Sequence, residues 1–235
     1  MKKYLGLLSL LVSFVLQSQI KINYTIKSHV ETYQLTLKID VVNLTDDNYL
    51  LPFDVNGFKG YYDSEYCGVY NEKDYPYNFF APTIMINRDY DQNYLYPESS
   101  RGHSDRESKE NIKTLQVVAD KEFHKINKWK KKHHFNSYEH AFKNYYITNN
   151  LLILKPHEKY SYEISVDLSN LFRTNTSFLY DAYFLEFSRY NLGLHLCITD
   201  DAYQWLTKEQ KKKFEKYKFF LGTIKSNSIS FEAYK

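Results

Sequence analysis

Between Tyr33 and Val41 the chain alternates without a fault: Tyr33, Leu35, Leu37, Ile39 and Val41 fall on one side, and Gln34, Thr36, Lys38 and Asp40 on the other. A period of two predicts a strand with one wet face. Ile20, Ile22, Tyr24 and Ile26 repeat the pattern just upstream, so a hairpin is expected across Lys27 to Thr32. Asn43 to Asn48 is rich in residues that bond their own backbone in turns, and the short apolar run Tyr49 to Phe53 follows. A second group of strands starts at Leu151 to Leu154. Tyr160, Tyr162, Ile164, Val166 and Leu168 alternate after it, and Pro156, with no N–H for a ladder, marks the turn between the two. Phe178 to Ser188 and Leu192 to Ile198 predict two more strands, separated near Arg189 to Asn191; Phe219 to Thr223 and Ser228 to Tyr234 close the chain.

Two stretches change period. Phe123, Ile126, Ala141, Phe142 and Tyr145 give partial helical spacing over Asp120 to Tyr146, read as two short helices meeting near Asn136 and Ser137. Thr207-Lys208-Glu209-Gln210 has the form of a capping box, and Phe214 and Tyr217 fall on the side of Leu206, predicting a short helix before the last strand. The segment from about residue 54 to 150 has weak periodicity and reads as an elaboration between strands. A separate small domain there would need its own core, and Tyr61 to Asp91 is too polar and broken to supply one.

The first residues set an expectation about compartment. Lys2 and Lys3 precede an apolar run, Leu5 to Leu16, broken only by Gly6, Ser9 and Ser13, and Ser18 offers a small residue for cleavage. This predicts a signal peptide over residues 1–18, with an uncleaved anchor as the competing reading. The run is too short to cross roughly 30 Å of hydrocarbon, and the first cysteine, Cys67, is too distant for a lipoprotein leader. The expectation is one domain over 19–235, exported to the periplasm or beyond, with no transmembrane segment after cleavage. Two of the 31 basic residues belong to the leader, so the rest is nearly balanced against 28 acidic ones and a nucleic-acid partner loses its main support.

Charge is nevertheless uneven. Acidic residues exceed basic ones by five from Asp54 to Glu110, and basic exceed acidic by five from Asn111 to Lys143. The two segments are expected to neutralise each other, the basic helix clamping the acidic loop. Tyrosine, with 24 residues, is the compositional outlier. It suits half-buried strands and adhesive faces alike, and Tyr61, Tyr62, Tyr66, Tyr70 and Tyr75 are the candidate binding face. Two cysteines in an exported chain invite a disulfide, Cys67 to Cys197; the competing reading has two separate cysteines, one of them a small buried filler.

The leader ending Gln17-Ser18-Gln19, the strand and turn Leu37 to Asn48, and the turn Leu154-Lys155-Pro156-His157-Glu158-Lys159 before an alternating strand resemble small exported proteins of the Bacteroidetes type. The resemblance covers the flanking strands, about a third of the chain. It implies a mainly β fold, an immunoglobulin-like antiparallel β-sandwich, here with a long inserted loop and helical segment and a short C-terminal helix before the last strand. It carries no catalytic residues.

Candidate chemistry is sparse. His133, His134 and His140, with His124 and Glu139 nearby, are the best metal candidates, but no two lie three or four residues apart on the shared face of His133 and His140, and no metal or cofactor is expected. Lys128, Trp129, Lys130, Lys131 and Lys132 mix cations with an aromatic and form the candidate patch for an anionic partner, against the plainer reading of a solvated helix. His103-Ser104-Asp105 has the residue types of a hydrolytic triad, but adjacent residues cannot line up as nucleophile, base and orienter, and no Gly-x-Ser-x-Gly elbow exists. Asp200 and Asp201 read as helix-start residues rather than a glycosidase pair. The seven glycines are not clustered into a phosphate loop. The favoured function is a non-enzymatic binding module for an unidentified protein or envelope component. A carbohydrate or peptidoglycan binder using tyrosine and tryptophan faces is the first alternative, and a hydrolase with dispersed residues the second.

Overall fold

The alternation at the start of the chain becomes a hairpin. Strand β1 (Ile20–Glu31) runs antiparallel to β2 (Gln34–Asn43), with Ile22 opposite Val41 and Ile26 opposite Leu37. The computed structural model describes residues 19–31, 33–62, 80–101, 109–172 and 179–233. After β2 come β3 (Tyr49–Pro52), β4 (Thr83–Arg88), β5 (Glu98–Arg101), the helices α1 (Lys109–Lys132) and α2 (Tyr138–Asn149), β6 (Leu151–Leu154), β7 (Lys159–Asp167), β8 (Leu171–Phe172), β9 (Leu179–Ala182) and β10 (Arg189–Ile198). A 3-10 turn (Ala202–Trp205), α3 (Lys208–Lys213), β11 (Lys218–Phe219) and β12 (Gly222–Glu232) complete the order. The protein is mainly β.

Two three-stranded antiparallel sheets make the frame, ordered β1-β2-β7 and β12-β10-β4. Two smaller sheets, β11-β3-β6 and β5-β9-β8, flank them. Leu35, Leu37, Ile39 and Val41 from the first sheet and Ile84, Ile86, Leu192, Leu194 and Leu196 from the second belong to one buried cluster, which also takes in Ile126 of α1 and Ala141, Phe142 and Ile147 of α2.

A side chain joins the two large sheets. The register of β10 against β12 shifts between Gly193 and His195, so Ser226 and Asn227 form a bulge, and Ser226 Oγ accepts the Leu194 N–H at 2.8 Å. The bulge points Asn227 at β1, where its Oδ1 accepts the Tyr24 N–H at 2.9 Å and its Nδ2 donates to the Tyr24 carbonyl at 3.0 Å. One amide thus imitates a ladder pair. His29 meets Phe231 ring to ring at 5.7 Å, so contacts advance in the same direction along both strands and β1 runs parallel to β12. The buried Tyr24 hydroxyl donates to the Leu192 carbonyl of β10, and burial raises its pKa, keeping it protonated.

Three expectations from the sequence need revision. Strand β4 escapes the pattern because Thr83 to Ile86 are buried on both faces, and such a strand shows no alternation. The middle segment therefore adds a strand to the frame as well as helices. The break expected at Arg189 to Asn191 falls instead at Tyr183 to Ser188, because the Tyr190 hydroxyl folds that stretch back, accepting from the Glu186 N–H at 2.9 Å and donating to its carbonyl at 3.1 Å. Helix α1 begins at Lys109, well before Asp120; Ile112, Leu115 and Ala119 upstream already stand at helical spacing, a signal that a reading begun at Asp120 passes over. The helix break does fall near Asn136 and Ser137, where Ser137 Oγ caps α2 by accepting from the His140 N–H at 3.1 Å.

Replacing Asn227 by alanine leaves the N–H and carbonyl of Tyr24 without their partners, which should cost about 1–3 kcal/mol. Hydrogen exchange should then accelerate at Tyr24 while the β2–β7 ladder keeps its protection; unchanged exchange at Tyr24 would refute the role given to this amide.

Candidate functional site

Helix α1 is about 36 Å long, yet Ile126 is its one fully buried side chain among those described, and Phe123 is 53% exposed. Apolar burial alone does not hold such a helix. Its anchor is Trp129, whose ring packs on His133 at 4.0 Å and edge-on to Tyr145 at 5.4 Å, and whose Nε1–H donates to Asn144 Oδ1 at 2.9 Å.

Asn144 of α2 is 0% exposed and bonded on both sides of its amide. Its Nδ2 donates to the Trp205 carbonyl at 2.7 Å and to Gln210 Oε1 at 2.6 Å, while Gln210 Nε2 returns a bond to Asn144 Oδ1 at 3.3 Å. Gln210 is also the third residue of the capping box of α3: Thr207 Oγ1 accepts the Gln210 N–H at 3.2 Å, and the Thr207 N–H donates back to Gln210 Oε1 at 2.8 Å. Gln210 reaches Thr148 Oγ1 of α2 at 3.2 Å as well. One buried amide therefore gathers α1, α2, the 3-10 turn and α3. Sequence reasoning found the capping box but not this hub, for an asparagine inside an otherwise unremarkable helix gives no signal of what it touches.

The hub decides where the charges go. It sets the C-terminal turn of α1, with Lys130, Lys131 and Lys132, beside α3, with Lys211, Lys212 and Lys213. Burial, with Lys132 beside it, holds the His133 pKa below its ordinary value, and the charge of Glu209 on α3 opposes this only in part. Three lysine ammonium groups lie over rings: Lys132 over Trp129 at 5.6 Å, Lys211 over Tyr203 at 4.7 Å and Lys213 over Phe214 at 5.4 Å. Of the expected patch, Lys128, Lys131 and Lys132 are exposed and Lys130 is half-buried, whereas Trp129 turns inward as the anchor. Among the described residues no ion pair links these lysines to the acidic segment, much of which, at 63–79 and 102–108, lies outside the described residues together with His103, Ser104 and Asp105.

Two turns before Trp129 along α1, a cleft of about 490 Å³ opens between α1, α2, the loop after β3 and the end of β7. Glu122 accepts from the Tyr146 hydroxyl and lies 3.8 Å from the Lys125 ammonium, which sits 4.8 Å over the Tyr145 ring. Hydrogen bonding to Tyr145 and the charge of Glu122 raise the Lys125 pKa. Asp54 and Asp167 also border the cleft, but each carboxylate caps its own turn, Asp54 through the Asn56 N–H at 2.9 Å and Asp167 through the Ser169 N–H at 2.9 Å.

The tyrosine face is placed only in part. Tyr61 is buried, stacked on Tyr96 at 5.6 Å and edge-on to Tyr94 at 5.2 Å; the half-buried Tyr62 hydroxyl lies 2.9 Å from Asp181 Oδ1 and 3.1 Å from the Pro97 carbonyl. Gly60 permits this closeness, because a Cβ there would come within 2.5 Å of Pro97. These two rings therefore face the body of the protein, and Tyr66, Tyr70 and Tyr75 lie outside the described residues. So does Cys67, which leaves the pairing with Cys197, on the outer face of β10, unplaced. Asp201 precedes the 3-10 turn and accepts from Thr199 Oγ1 at 2.5 Å. Among the described residues no three His, Cys, Asp or Glu side chains are grouped to hold a metal ion, and no helix is long and apolar enough to cross a membrane. No family model, curated protein or solved structure matches the chain.

One titratable group stands apart. His195 faces the outer side of the β12-β10-β4 sheet yet is only 2% exposed, and burial, with Lys225 and Lys59 nearby, pushes its pKa down to about 4. A histidine whose folded pKa lies below its unfolded value resists protonation in the native state. The stability it contributes is complete above about pH 6.5 and is lost as pH falls toward 4, by about 3 kcal/mol. Denaturant titrations from pH 7 to 4 should fall less steeply for His195→Gln than for the parent; identical pH slopes would show that His195 titrates normally.

Proposed function

We propose that the protein is an exported, immunoglobulin-like binding module in which the α1–α2 hairpin, fixed on a β frame, is the recognition element. The sandwich reading is supported by strand order: β1-β2-β7 and β12-β10-β4 correspond to the A-B-E and G-F-C orders of such domains. It is supported also by Tyr190, at the start of the strand corresponding to F, whose hydroxyl bonds back to Glu186 in the manner of a tyrosine corner. Leu192 then stands where antibody domains carry their second cysteine, so a Cys67–Cys197 bridge would tie the middle segment to the outside of the frame rather than pin the sheets together. Export rests on the leader.

The observation that carries the binding role is the mismatch, among the described residues, between how firmly α1 is held and how little of its apolar surface is buried. Contacts along one face from Glu122 to His133 and a buried amide network lock the helix, while its other face, with Lys113, Gln116, Lys121, Lys128 and Lys131, stays exposed; rigid elements with an open face on a regular scaffold are what recognition uses. Photo-crosslinkers placed at the exposed Lys113, Gln116 and Lys128 of α1 should capture one envelope component in the native host, and crosslinkers at the exposed Lys21 and Lys155 should not. Equal capture from both sets, or from neither, would overturn the reading.

A further inference from the structure

The protein is close to neutral outside its leader, so a concentrated basic face has to come from the fold rather than from overall composition. Two lysine runs nearly eighty residues apart, Lys130–Lys132 and Lys211–Lys213, are brought together by the Asn144 hub. Their ammonium groups make no ion pair among the described residues. Three of the six ammonium groups lie over aromatic rings, which limits the freedom these side chains lose on engaging a partner. Apolar side chains stand at the margin: Tyr203, under Lys211, is 38% exposed, and Leu221 is 40% exposed just beyond Phe219, whose ring meets Tyr203 at 5.2 Å.

We propose that this composite face docks on an anionic phospholipid bilayer surface, lysines at the phosphates and Tyr203 and Leu221 at the headgroup boundary. The inference rests on the binding-module reading and gives it a partner. Cations alone would suit any polyanion; cations rimmed by exposed apolar side chains suit a surface that offers phosphate above and hydrocarbon below. The lysines lie on two separate elements, which matches a broad plane better than a single strand of polymer.

The test is co-sedimentation of the exported protein with vesicles of phosphatidylglycerol and phosphatidylcholine in equal parts, against phosphatidylcholine alone. Binding is expected to the anionic vesicles only, weakening as salt is raised. The triple variants Lys130→Gln/Lys131→Gln/Lys132→Gln and Lys211→Gln/Lys212→Gln/Lys213→Gln should each lower partitioning roughly tenfold to a hundredfold, because the runs form one face. Lys21→Gln/Lys27→Gln/Lys155→Gln, which removes the same charge elsewhere, should change it little. Leu221→Ser should weaken vesicle binding without affecting retention on soluble polyphosphate. Equal losses from all three triples would reduce the effect to net charge and overturn the proposal. Retention on polyphosphate without vesicle binding would replace the bilayer with a polyanion. Absence of vesicle binding alongside specific crosslinks from α1 would overturn the bilayer while leaving the binding module intact.

Discussion

The helical part of this protein is placed by a single buried amide. Asn144 carries two donors and an acceptor oxygen into a site with no access to water, and each finds a partner on a different element: the Trp129 indole, the Trp205 carbonyl and the Gln210 amide. In a low-dielectric interior such a network is stringent, because a satisfied amide fixes positions sharply and an unsatisfied one is costly. Everything proposed about the outer surface follows from that stringency. The lysines of α1 and α3 become neighbours because their helices share this asparagine.

The β frame obeys a related logic. The large sheets are spliced where Asn227, thrust out by a bulge, stands in for a ladder pair of β1. Tyr24 and Tyr190, both buried, turn their hydroxyls to backbone carbonyls rather than to solvent. Tyrosine is abundant here partly because it fills a core with its ring while its hydroxyl closes a backbone contact. Tyr61 and Tyr62 follow the same rule, which is why an open aromatic face does not form at those two positions.

How much of this was legible in the sequence depended on whether a residue faced water. Strands β1, β2 and β7 were readable because one face is wet and alternation records it; β4 was not, because Thr83 to Ile86 are buried on both sides. The capping box at Thr207 was readable, being local, and so was the break before Ser137. Asn144 and Asn227 were opaque: their partners lie between 15 and 203 residues away, and no spacing rule reaches that far. The run Lys128 to Lys132 was visible as a charge cluster, but its inward Trp129 and its pairing with α3 are products of the tertiary fold.

The most direct test of this account is residue-resolved hydrogen exchange on Asn144→Leu, which keeps the side-chain size and removes the amide. The central claim predicts exchange faster by roughly tenfold or more in α2, α3 and the last two turns of α1, with β2 and β10 retaining parental protection. Parental protection in all three helices, or a uniform loss that includes β2 and β10, would contradict it.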